Sequence, residues 1–112
     1  MTTDAEARIA RTESAFRRVN EGVAETAEFF GSDETEFFCE CADAECQDRI
    51  DAPLAVYEDV RAEPTQFLVA EGHELPAYEH VRRRRRGYLI VEKMTRGLVA
   101  AVRRSDPRSD RR

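Results

Sequence analysis

Hydrophobic positions recur with a helical period over residues 4–30. Ala5, Ile9, Thr12, Phe16, Val19, Val23, Ala27 and Phe30 follow i, i+3/i+4, i+7 spacing, while Arg11, Arg17, Arg18, Glu21, Glu25 and Glu28 take the other side. This pattern predicts one long amphipathic helix that packs through the apolar stripe. Asp4 is its expected N-cap, Gly31 its C-terminal stop, and Glu13 and Arg17 an i, i+4 ion pair.

Beyond Gly31 the period shortens. GSDE reads as a turn and TEFFC (35–39) as a short strand, followed by a loop that carries the cysteines. A second helix is expected from Pro53 through LAVYEDVRA to Pro64, with Asp51 near its N-cap. TQFLVA (65–70) reads as a strand and EGHELP (71–76) as a turn or functional loop. AYEHV leads into the arginine run 82–86, expected as a solvated loop, and GYLIVEK (87–93) is the strongest strand signal in the chain. Leu98, Val99 and Val102 predict a short closing helix, and SDPRSDRR (105–112) a disordered polar tail. The order α-β-α-β-β-α, without internal repeats, predicts a single α+β domain over residues 1–104. In it a long N-terminal amphipathic helix packs on a short sheet beside a metal-stabilised Cys-rich loop.

Composition narrows the function classes. With 41% hydrophobic and 37% charged residues the chain reads as a soluble globular protein, and no run approaches the roughly 18 apolar residues of a membrane span. The acidic N-terminus MTTDAEAR lacks an apolar signal region, so a cytoplasmic location is expected. The net charge of −5 is unevenly distributed. Residues 1–80 carry 6 Arg and 20 Asp or Glu (net −14), and residues 81–112 carry 12 Arg or Lys and 3 Asp or Glu (net +9). Either the basic end lies on the acidic body or it meets an acidic partner. Seventeen of the 18 basic residues are Arg, which points to a GC-rich genome rather than to recognition chemistry. No aromatic residue interleaves with Arg82–Arg86, so nucleic acid is an unexpected partner, while an unknown protein partner stays open.

The candidate chemistry lies in FFCECADAECQ. Cys39, Cys41 and Cys46 stand at C-x-C-x4-C spacing among Glu40, Asp43, Glu45 and Asp48, a setting too acidic for three small core fillers. An odd number of thiols in a reducing compartment argues against a disulfide. Zinc fits better. Alternation along a strand end points Cys39 and Cys41 to one face, and the four-residue gap allows Cys46 to return to it. A tetrahedral site then needs a fourth ligand. His73 is placed to supply it if strand 65–70 lies beside the strand ending at Cys39; His80 competes, with Asp43 or Glu45 as weaker choices. An iron–sulfur cluster usually asks for a fourth cysteine. Three thiolates make zinc a poor Lewis acid, and neither a phosphate loop nor a serine-nucleophile motif is present.

ARTESAFRRVNEGV, FFCECADAEC, YEDVRAEPTQFLVAEGHELPAYEHV, YLIVEK and DPR together resemble a family of small bacterial proteins from high-GC genomes. The similarity spans residues 8–108 in matching order, with C-E-C-x4-C and F-x-V-x-x-G-H-E as its most specific parts. It implies Cys39, Cys41, Cys46 and His73 as the site residues, with Glu74 beside them, and so favours His73 over His80. It implies no activity. The expected function is therefore a binding or regulatory module with a structural Cys3His zinc site and no catalytic residue. The alternatives are a zinc- or thiol-dependent enzyme and a redox sensor acting through the cysteines.

Overall fold

A computed structural model describes residues 2–109. Helix α1 spans Asp4–Phe30 and is followed by strands β1 (Glu34–Phe38) and β2 (Arg49–Pro53). Next come α2 (Leu54–Arg61) and β3 (Gln66–Ala70), then β4 (Glu79–Arg85), β5 (Tyr88–Lys93) and α3 (Arg96–Arg104). The strands form two antiparallel sheets, β1-β2 and β3-β5-β4. The fold is α+β, one long N-terminal helix with two small sheets.

Two strands replace expected loops. In β2, Ile50 and Ala52 are buried while Arg49, Asp51 and Pro53 are exposed, a period-two pattern hidden beside the cysteines. Asp51 faces Glu36 across the β1-β2 ladder and does not cap α2, whose N-cap is Pro53. The arginine run forms β4 rather than a solvated loop. Gly87, at φ 88°, takes a left-handed conformation that lets Arg86 and Gly87 close a tight hairpin, so β5 recruits the preceding residues by backbone pairing.

Helix α1 has the expected length but not the expected facing. Thr3, not Asp4, is the N-cap, and it forms a reciprocal capping box with Glu6. Gly31, at φ 67°, ends the helix as expected. The buried stripe is Glu6, Ala10, Glu13, Ser14, Arg17, Asn20, Ala24 and Ala27. It lies about one residue, or about 100°, from the apolar stripe. Val19 and Phe30 are 48% and 72% exposed as a result.

The polar side chains on this buried face are all engaged. Arg17 donates to the carbonyls of Pro64 (2.7 Å) and Gln66 (3.0 Å) and lies over the Phe67 ring at 3.7 Å. Glu13 pairs with the Lys93 ammonium, which also holds Glu79. The expected Glu13–Arg17 surface pair therefore does not form; each residue has a buried partner from the β3-β5-β4 region instead.

The charge split is partly neutralised within the fold. Besides Lys93, Arg108 pairs with Glu21 (2.6 Å) and with Glu58 (2.9 Å). Residues 105–109, part of the expected disordered tail, are docked: Asp106 is 3% exposed and bonded to the buried Arg61. Arg61 also meets Glu21 at 3.1 Å, so α1, α2 and the C-terminal segment share one ion network. Residues 110–112 of that tail lie outside the described residues.

Candidate metal centre

The three cysteines and His73 come together where three chain segments meet. Their candidate ligand atoms all lie within 4.8 Å of one another, and the other proposed ligands are absent from the group. His80 sits on β4 with its Nε2 3.7 Å from Glu92. The Asp43 carboxylate accepts the Glu45 amide at 2.9 Å and shapes the loop.

Backbone geometry explains the convergence. The end of β1 is held when Cys39 N–H donates to Asp48 C=O at 3.0 Å, which brings the start of β2 back beside the first cysteine. The next residue continues along β3, with Glu40 N–H donating to Leu68 C=O at 2.8 Å. The expected adjacency of the cysteine strand and the strand before His73 is thus met by Cys39–Glu40, beyond β1 proper. A turn after β3 then delivers the histidine. His73 N–H donates to Ala70 C=O at 3.0 Å, and Gly72 at φ 86° takes the turn position that a side chain would strain.

Glu40 is the residue that sequence reasoning missed. Instead of solvating the loop it is fully buried, and its carboxylate accepts Tyr57 O–H at 2.7 Å, Asn20 Nδ2 at 2.9 Å and Leu68 N–H at 3.0 Å. Strand alternation, applied to the middle of C-E-C as well as to its ends, carries the signal: when Cys39 and Cys41 face one way, Glu40 faces the other. Burial and the Glu40 carboxylate push the Tyr57 hydroxyl pKa up, keeping it a donor. Replacing Glu40 with Ala strands three buried donors at about 1–3 kcal/mol each. Glu40→Ala is expected to lose at least about 3 kcal/mol in denaturant titration and to weaken metal binding at the flanking cysteines. Unchanged stability would show that Glu40 is not the anchor.

Cys39 Sγ accepts Ala70 N–H at 3.2 Å, and backbone hydrogen bonding from Asp43 and Asp48 works toward lower thiol pKa values at Cys41 and Cys46. Cys41 is lowered to about 5, first by a hydrogen bond from the Cys39 thiol. That same bond and burial push Cys39 up, and burial raises Cys46.

His73 presents Nδ1 to the cysteines, 3.5 Å from Cys39 Sγ and 3.6 Å from Cys46 Sγ. Its Nε2 lies 3.1 Å from Asp48 Oδ2, an outer carboxylate that orients the ring and leaves Nδ1 as the ligand atom. Asp48 is a second residue that sequence reasoning did not single out for this role. A cleft of ≈ 270 Å³ beside Cys41 and His73 is bordered by Glu74.

No family model matches this chain, and no match was found among curated proteins or solved structures. Among the described residues, no helix is long and apolar enough to cross a membrane. The Cys3His group can hold a metal ion.

Proposed function

We propose that Cys39, Cys41, Cys46 and His73 bind one structural zinc ion and that the chain acts as a small binding module. The observation that carries this reading is the sulfur–nitrogen spacing. Zn–S of about 2.3 Å and Zn–N of about 2.0–2.1 Å at tetrahedral angles give a separation of about 3.6 Å. The distances from His73 Nδ1 to Cys39 and Cys46 Sγ, 3.5 and 3.6 Å, match it. The Ala70 amide on Cys39 Sγ and the Asp48–His73 contact are outer groups of the kind that orient the ligands of such a site.

Four protein ligands fill a zinc tetrahedron and leave no position for an activated water, which supports a structural role over a hydrolytic one. A reducing compartment such as the cytoplasm keeps the three thiols free to bind the ion. Membership of the high-GC bacterial family is proposed on the same cysteine and histidine motif.

Elemental analysis of the purified chain is expected to find about one zinc per molecule. Cobalt substitution should give the intense visible bands of a four-coordinate thiolate site. A folded chain that neither retains zinc nor takes it up would refute the proposal. Cobalt spectra showing a bound, exchangeable water would transfer the argument to a catalytic centre.

A further inference from the structure

The apolar stripe displaced from the core borders an unpaired strand edge. The ladder register fixes which backbone groups of β1 face outward. Cys39 N–H bonds Asp48 C=O at 3.0 Å and Leu54 N–H bonds Asp33 C=O at 2.7 Å, in the register that pairs Glu34 with Pro53. Residues 33, 35, 37 and 39 thus direct their backbone groups to β2, and Glu34, Glu36 and Phe38 direct theirs away. At Phe38 the Asn20 side chain supplies both missing partners, each at 2.8 Å, as a strand would. At Glu34 and Glu36 the outward N–H and C=O groups have no hydrogen-bond partner among the described residues.

This edge forms one wall of a groove of ≈ 680 Å³, with Val19, Val23 and Phe30 on the opposite, helical wall. The Thr35 hydroxyl is buried in the same groove and has no hydrogen-bond partner among the described residues. A groove between a helix and an open edge suits an extended chain that adds to the sheet: backbone pairing supplies attraction, and alternate side chains supply selection. Side chains on the Thr35 side of an added strand would meet Val19, Val23 and Phe30. Those on the other side would stand opposite Glu34 and Glu36, both exposed carboxylates.

We propose that this groove binds an extended segment of a partner protein in which apolar residues alternate with basic ones. A second copy paired through β1 would set Glu34 and Glu36 against the same carboxylates, an unfavourable arrangement. Of the other edges, β4 carries a bulge between Val81 and Arg83 that interrupts pairing, and β2 ends in Pro53, which has no N–H to offer. The inference is independent of the metal site.

The probe is a short capped peptide of alternating arginine and valine, titrated into the chain as purified and followed by amide NMR. The expected result is saturable shifts at residues 34–36, slowed hydrogen exchange at the Glu34 and Glu36 amides, and a monomeric free protein by sedimentation. Methylating the peptide amides that face β1, or substituting Phe30→Ser, should each weaken binding at least about tenfold. Phe30 is exposed, so its variant is expected to keep the wild-type melting curve. The double variant Glu34→Lys, Glu36→Lys should prefer a glutamate–valine peptide. Failure of the arginine–valine peptide to bind would overturn the proposal. Equal binding of the acidic peptide, or undiminished binding after amide methylation, would do the same. So would a free protein that is dimeric until Phe30 is replaced.

Discussion

Cys41→Ser is expected to purify without zinc and to lack the cooperative thermal transition of the loaded protein. Structural zinc contributes on the order of 10–16 kcal/mol in small peptides, against a net domain stability of about 5–15 kcal/mol. The ion would join residues 39–48, which link β1 to β2, to the turn after β3. Without it, three sulfurs and an imidazole remain clustered with nothing to join them. A chelator strong enough to strip zinc from the wild type should produce the same loss, reversed when zinc is returned. The decisive measurement is a melt by circular dichroism with zinc quantified on the same sample. A metal-free Cys41→Ser protein that melts like the wild type would remove the structural role.

The second large effect is expected at Lys93→Met. The Lys93 ammonium is fully buried between the Glu13 and Glu79 carboxylates, beside the Phe67 ring at 4.7 Å. Removing the shared cation leaves two uncompensated buried acids, at a cost of about 3–5 kcal/mol. Glu79 also accepts the Leu75 amide at 2.9 Å, so the triad is joined to the loop that carries His73. Adding Glu13→Gln should recover part of the loss on the alkaline side, where Glu13 would otherwise be charged beside Glu79.

The same triad sets a pH dependence. Burial raises Glu13 from the ordinary value of 4.5 to about 7, with Lys93 opposing and Glu79 reinforcing the rise. A carboxyl group with a raised folded-state value contributes stability that is fully present below pH 4.5 and lost as pH rises through about 7. Between those limits wild type minus Glu13→Gln should change by on the order of 3 kcal/mol, with wild type relatively weaker on the alkaline side. Denaturant titrations of both proteins at pH 4.5 and pH 8 test the sign. An identical pH profile for the two would show that Glu13 does not titrate in this range.

Element types were largely legible in the sequence because they follow local rules. Period and caps mark α1, Gly31 marks its end, and the β-branched run of YLIVEK marks β5. β2 was hidden because RIDAP is short and proline-ended, and becomes a strand only by pairing with β1. The arginine run was hidden for a similar reason: its side chains are exposed while its backbone belongs to the hairpin.

The cysteine spacing and the choice of His73 were readable because ligand chemistry restricts which residue types can complete a site. Glu40 and Asp48 were not read as parts of it, since an acid beside a cysteine looks the same whether it solvates a loop, anchors it in the core or orients a histidine.

By itself, then, the sequence determined the α+β class, the length of α1 and the set of residues able to hold a metal. Only the tertiary structure decided how α1 is turned. Transfer preference alone would bury Ile9, Phe16, Val19 and Phe30. Instead Glu13, Arg17 and Asn20 are buried, because Lys93, the Pro64 and Gln66 carbonyls and the Phe38 backbone meet them there. Buried polar groups are tolerated where partners meet them, and those partners come from segments distant in the chain, beyond the reach of any local pattern.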